Sequence, residues 1–422
     1  MSNQISFGVL TLDLDARRVW REDVDLKLRA QAFHALRVLI EKRGQYVDYD
    51  QLIQEAWRGN VVSPHTVNTT IGAVRKALGE YGSWISYWPK LGYRLQVPGS
   101  DDLIRTAWHC CDRRTREGLE NALSYFQRVA SQDSMEHRAF EGIAHCYLML
   151  AMYGMRPPRE AHPGFEEALA RAAALKGWTP ELRSMRGHDL HMFEHKFEDA
   201  EAEYLRSLRD KPTAKTYVRL ALLYSSMGRL EDALKATMQA RKSDPLWPTI
   251  AATEVFIALC RGDFEAAIVC AKNGLELHPY LHLGRTYYAQ ALEYAGRVED
   301  ALTQYRLTRV IAPDITWVRA LEVRCLARSG RIQEAEDIAE EMVAMRLTDY
   351  VDAYYVALLL EALGHRDDAM AELERAVEEN SATLYMLDVD PKLEPLRTDR
   401  RFQPLRNKMF GLELPNSVHS AL

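Results

Sequence analysis

From about residue 180 onward, amphipathic segments recur along the chain on a fixed beat. GRLEDAL (Gly228–Leu234), GDFEAAI (Gly262–Ile268), GRVEDAL (Gly296–Leu302), GRIQEAE (Gly330–Glu336) and GHRDDAM (Gly364–Met370) set a glycine every 34 residues. Pro212, Pro245, Pro279 and Pro313 follow at spacings of 33, 34 and 34. A glycine is expected where a helix ends and the chain reverses through a left-handed residue, a conformation cheap only for glycine. The alanine five residues on (Ala233, Ala267, Ala301, Ala335, Ala369) is small enough to let two helices approach. Each proline is expected to open the next unit, where its missing N–H costs nothing. FEDAEAEYLRSL (Phe197–Leu208) belongs to the first regular unit, with His195 in the glycine position. GLENALSYFQRVA (Gly118–Ala130) and FEEALARAAAL (Phe165–Leu175) read as degenerate earlier units, for about eight helix pairs in all.

Residues 5–98 break this period. ISFGVLTLD (Ile5–Asp13), RRVWR (Arg17–Arg21) and VDLKL (Val24–Leu28) predict short antiparallel strands. Ala30–Gln45 predicts an amphipathic helix with Phe33, Leu36, Leu39 and Ile40 on one side and Gly44 as its stop, and Tyr49–Trp57 a second, short helix. A third helix opens at Ser63, as cap, and Pro64. Its Val67, Ile71, Val74 and Leu78 must face a core. His65, Thr69, Gly72 and Lys76 lie opposite, flanked by Asn68, Ala73 and Arg75. That outer face is small, polar and basic, which suits a helix lying in the major groove of DNA. SWISYWPKLGYRL (Ser83–Leu95) then predicts a two-stranded hairpin turning at Trp88–Gly92.

Charge sharpens this division. Residues 1–98 carry 13 Lys/Arg against 10 Asp/Glu, and the rest 41 against 50, so a net of +3 and one of −9 make up the overall −6. A mildly basic head on an acidic body fits a head that meets a polyanion. With 422 residues, 47% hydrophobic and 27% charged, the chain predicts more than one globular unit. Its apolar runs are too short to span a membrane and its start lacks a secretion signal, so a cytoplasmic protein is expected. The six cysteines have no metal-type spacing and are expected to be small buried thiols. His188, His191 and His195 share one helix face, but their register assigns them to packing and to a turn rather than to a metal. No nucleophile, phosphate-loop or dinucleotide motif is present, and neither an enzyme nor a cofactor is expected.

The strand–helix–helix–helix–hairpin order, with VRKAL closing the third helix and GYRL closing the hairpin, resembles the OmpR/PhoB-type winged-helix domain of CadC- and HilA-like regulators. The 34-residue units resemble the tetratricopeptide repeat (TPR). The expected fold is multidomain: an N-terminal α+β winged helix-turn-helix (1–98), a linker (99–103), an all-α TPR-like solenoid (104–385), and a capping segment with a tail (386–422). The resemblance implies a bacterial transcriptional regulator binding double-stranded promoter DNA. Asn68, Thr69 and Ala73 would face bases, while His65, Arg75, Lys76, Lys90 and Arg94 would hold phosphates. Two departures thin its basic surface: Gly72 and Ala73 stand where such helices often carry arginine, and Pro89 takes the usual wing arginine position. Trp84 and Trp88 would brace the hairpin. Carrying over the repeat family's groove register gives Phe256, Gln290, Glu293, Tyr294, Trp317, Arg324, Arg328, Tyr354 and Leu358 as a concave surface for a protein or peptide partner, a small ligand or a second copy of the chain. The competing expectation is an interaction scaffold whose winged helix does not read DNA sequence.

Overall fold

The computed structural model describes residues 4–7, 10–21, 24–60, 62–96 and 100–410. The chain divides into two compact units, residues 1–114 with 120–143, and residues 115–119 with 144–422.

The first unit opens with an antiparallel meander of β1 (Gln4–Phe7), β2 (Leu10–Asp13), β3 (Arg18–Arg21) and β4 (Val24–Asp25). Helices α1 (Ala30–Glu41), α2 (Tyr49–Ala56) and α3 (Pro64–Leu78) follow, and then a hairpin of β5 (Ile85–Trp88) and β6 (Gly92–Leu95). The apolar stripes anticipated on α1 and α3 make the core, where Phe33, Leu36, Leu39, Ile40, Val67, Ile71, Val74 and Leu78 are all buried with Phe7, Leu10 and Leu12. Each such side chain contributes roughly 1.5–3 kcal/mol through burial. Ser63 caps α3, its hydroxyl accepting from the Thr66 amide at 3.3 Å.

Beyond the hairpin come α4 (Ser100–Asp112), α5 (Arg116–Gln132) and α6 (His137–Met152). The expected 99–103 linker is therefore not observed as such: its described residues are the first turn of α4, while 97–99 lie outside the described residues. The division between units instead cuts α5 and α6, so α4 and most of α5 belong with the winged helix and not with the repeats. A buried ion pair explains the grouping: Arg43, just past α1, donates through Nε to Asp133 Oδ1 at 3.1 Å.

In the second unit, α7 (Pro158–Lys176) precedes six helix pairs. They are α8 (Pro180–Met192) with α9 (Phe197–Asp210), α10 (Ala214–Ser226) with α11 (Leu230–Ser243), and α12 (Thr249–Cys260) with α13 (Phe264–Leu277). Then follow α14 (His282–Tyr294) with α15 (Val298–Ile311), α16 (Trp317–Arg328) with α17 (Ile332–Met345), and α18 (Ala353–Ala362) with α19 (Arg366–Glu379). The five periodic glycines all sit between paired helices at φ of +71° to +86°, and the five matching alanines are fully buried. His195, in the glycine position, takes the same left-handed conformation at φ +53°. The prolines differ from expectation. Pro212, Pro245, Pro279 and Pro313 precede the next helix instead of entering its first turn, so they end one helix and do not start another. Among the described residues no helix is long and apolar enough to cross a membrane.

Residues 381–410 return through two short 3-10 turns to α20 (Glu394–Arg397) and α21 (Phe402–Phe410). Helix α21 packs on α19. The same stretch also reaches the first regular pair, where Tyr385 meets the His191 ring edge-on at 4.8 Å and Phe410 meets Phe197 at 5.8 Å. The last segment thus ties the last repeat to the first.

Candidate nucleic-acid interface

Helix α3 keeps the two faces its sequence prescribes. Opposite its buried stripe, His65, Asn68, Thr69, Gly72, Ala73 and Lys76 are all exposed. The Thr69 hydroxyl donates back to the His65 carbonyl at 2.9 Å, leaving its methyl group and an oxygen lone pair outward. Lys90 stands exposed at the tip of the hairpin, in a left-handed conformation at φ +69°.

Three of the anticipated contacts are engaged within the domain. Arg75 is turned inward: Nε and Nη2 both donate to the Ile85 carbonyl, at 3.1 and 2.7 Å, and the guanidinium lies over the Tyr93 ring. It is a strut between α3 and β5. Arg94 is half-buried and stacks over the Tyr46 ring at 4.9 Å. Asn68 accepts through Oδ1 from the Tyr49 hydroxyl at 2.6 Å and from the Tyr93 hydroxyl, so only its NH₂ group is available outward. Burial, with the Tyr49 phenol beside it, pushes the Tyr93 phenol far up, so it stays a proton donor at any working pH.

The wing's aromatics divide in the same way. Trp84 is packed as expected, edge-on to Phe7 at 5.5 Å and to Tyr81 at 4.9 Å. Trp88 is not: it is 60% exposed, with Tyr87 and Leu91 exposed beside it, because the turn carries it past the end of the core. Gly92 fixes where the hairpin docks. At φ +97° it lies so close to the α1–α2 connection that a Cβ would stand 2.1 Å from the Val47 carbonyl oxygen. Val47 and Tyr93 exchange backbone hydrogen bonds there at 2.7 and 2.9 Å.

The inner face of the repeats also departs from an open groove. Phe256, Gln290, Trp317, Arg324, Tyr354 and Leu358 are buried, Glu293 and Tyr294 partly so, and only Arg328 is exposed. The chain covers this face itself. Lys392 pairs with Asp390 at 2.8 Å and donates to Gln290 Oε1 at 3.0 Å, while the Tyr354 hydroxyl donates to Asp390 Oδ2 at 2.7 Å. Beneath them Arg324 pairs with Glu293, which also accepts from the Tyr305 hydroxyl at 2.9 Å. The three histidines sit in packing positions. His188 meets the Tyr204 hydroxyl and Met152 Sδ, both at 3.2 Å, and His191 Nε2 meets Ser226 Oγ at 3.0 Å.

Comparison with known proteins decides the N-terminal half of the question. The family described as "Transcriptional regulatory protein, C terminal" matches residues 22–95. These residues are a regulator domain of the OmpR/PhoB winged-helix type. The transcriptional regulatory proteins CutR of Streptomyces coelicolor and Streptomyces lividans are each 33% identical to this chain over 88 residues, 20% of this chain and 40% of CutR. Among solved structures, the human IFIT1 dimer with m7Gppp-AAAA aligns with 88% of this chain and 91% of its own at a TM-score of 0.55, with 13% identity, a likeness of helical fold. A thermophilic TPR protein of Thermus thermophilus covers 46% of this chain and 98% of its own, at 18% identity and a TM-score of 0.39. The chain joins an OmpR/PhoB-type winged helix to helix pairs that turn on the same left-handed glycine position, a TPR-like repeat.

Sequence reasoning missed the residues that hold the exposed face of α3 in place. Tyr49 and Tyr93 are 44 positions apart and converge on Asn68 only in three dimensions. It also missed the roles of Asp390 and Lys392, whose DPK segment lies in the stretch expected to act as a cap. Their one signal was a charged pair set between apolar residues of an otherwise capping stretch.

Proposed function

We propose that this protein is a transcriptional regulator that binds promoter DNA by laying α3 in the major groove with the β5–β6 turn against the backbone. The observation that carries this reading is the exposed polar face of α3, set beside Lys90 on a domain of the regulator type. Thr69 and Ala73 would meet base edges and thymine methyl groups, and the Asn68 NH₂ group would donate to base acceptors. Bidentate recognition of adenine by Asn68 is disfavoured, because it needs the oxygen that the two tyrosines hold. Lys76, Lys90 and His65 would meet phosphates, whereas Arg75 and Arg94 act as supports.

So few cations give a shallow salt dependence, with a slope of log K on log salt of about −2 to −3 per domain. Tight binding would then come from two copies on paired half-sites. The test is selection of genomic fragments on the full-length protein, sequenced at two salt concentrations and repeated with Lys76→Glu/Lys90→Glu. A recurring motif lost in the double variant supports the reading. Absence of any motif, with residual binding indifferent to the double variant, refutes it and favours the scaffold.

A further inference from the structure

Gly72 lies in the interior of α3, on its exposed face, where glycine weakens a helix relative to alanine. Glycines inside other helices of this chain have a steric cause. A Cβ on Gly142 would stand 2.4 Å from the Phe126 ring, on Gly164 2.5 Å from that of Tyr147, on Gly187 2.9 Å from that of Tyr204, and on Gly274 2.6 Å from the Ala251 methyl group. A Cβ on Gly72 would meet nothing within 4 Å beyond its own turn of helix. Its backbone is also ordinary helix, with no positive φ to explain it. The fold gives no reason for glycine at this position.

The space over Gly72 is kept clear as well. On a helix, the side chains three and four positions away are the ones able to close over a gap. Here they are Asn68, Thr69, Arg75 and Lys76. Tyr49 and Tyr93 hold Asn68, and the Ile85 carbonyl draws Arg75 inward. The Thr69 hydroxyl turns back to the His65 carbonyl and leaves a methyl group outward, while Lys76 is exposed. Ala73, next along the chain, adds only another methyl group. The result is a notch one methyl group deep with an apolar rim. Its floor offers no free hydrogen-bonding group, because the Gly72 amide and carbonyl belong to the helical ladder. Of the groups that base edges present in the major groove, the thymine C5-methyl is the apolar one.

We infer that Gly72 is a specificity-determining residue of the proposed DNA interface: its missing side chain makes room for the C5-methyl group of one thymine, which packs between Thr69 and Ala73 where a Cβ would otherwise stand. The inference rests on the DNA-reading proposal, and adds to it one base and the residue that selects it.

The test uses the full-length protein and the DNA motif it selects, with each thymine replaced singly by deoxyuridine, which lacks only the methyl group. In the unaltered protein one such replacement should weaken binding about fourfold. Gly72→Ala should bind the thymine-bearing motif roughly tenfold more weakly, because its own methyl group claims the same space. The same replacement should then strengthen binding by Gly72→Ala. That variant should also melt about 3 °C higher, since the helix regains what glycine costs it. Firmer folding with weaker binding cannot come from a damaged domain. A protein that selects no motif overturns the DNA reading and this inference together. If a motif is selected, yet Gly72→Ala binds it as well as the unaltered protein does, or both proteins respond alike to every replacement, this inference alone is overturned. A lower melting temperature for Gly72→Ala overturns it too, because the glycine then serves the fold.

Discussion

Arg75 shows how a cation on the helix proposed to face DNA can be committed elsewhere. Both of its donors end on one backbone carbonyl, the only link of this kind between α3 and the start of the wing among the described residues. Arg75→Ala should therefore lower thermal stability by about 1–3 kcal/mol while leaving the salt slope of DNA binding unchanged. Lys76→Ala should do the reverse, reducing the slope by about 1 with little change in stability. Melting curves and salt titrations of the two variants separate the roles. Gly92 is a stricter case, since its alanine variant meets both the left-handed backbone and the Val47 carbonyl. Gly92→Ala should cost roughly 3 kcal/mol or more and detach the hairpin, read by loss of amide protection at Tyr93.

At the scale of elements, the returning segment behaves as a built-in ligand of the repeats. Lys392 and Asp390 are both buried, so Lys392→Met leaves an uncompensated carboxylate and should cost about 3–5 kcal/mol in chemical denaturation. Replacing Asp390 as well, with leucine, should restore most of that loss. This arrangement marks where the sequence stopped being informative. Helix faces and repeat turns are local matters: Val67, Ile71, Val74 and Leu78 repeat at helical spacing, and Gly228 through Gly364 repeat at the turn, so both are legible in the order of residues alone. The inward turn of Arg75, the tyrosine pair on Asn68 and the seat of Lys392 depend on which distant segments meet. Nothing in the spacing of Asp390 and Lys392 foretells Gln290, 102 positions away from Lys392. The groove positions were expected to form an open surface, and their cover was not legible, because a capping helix and a covering strap draw on the same apolar-polar mixture.

For the whole molecule, the balance of buried titratable groups sets an acid response that differs between the two units. Burial holds His191 down to about 3 and His195 to about 4, and His188 well below its ordinary value. Depressed values give stability that is complete above the free-histidine range and drains away as pH falls through it. His191 and His195 alone would lose about 4 kcal/mol by pH 5. Asp352 runs the other way, since burial raises it to about 6 and its contribution grows on acidification, by about 1 kcal/mol at pH 5. In the first unit, Asp133 is likewise raised to about 6 by burial, outweighing the neighbouring Arg43 charge, so it too resists acid. Calorimetric scans at pH 7 and pH 5 should show the repeat unit melting earlier at pH 5 and the winged-helix unit holding its place. His191→Gln should remove part of that shift. The contact between Tyr385 and His191 has a further consequence, in the order of synthesis. A ribosome delivers the first repeat nearly 200 residues before the segment that closes over it. The winged-helix unit is thus translated while the rest of the chain is still to be made, and the inner face of the repeats is covered only in chains that have been translated past residue 392.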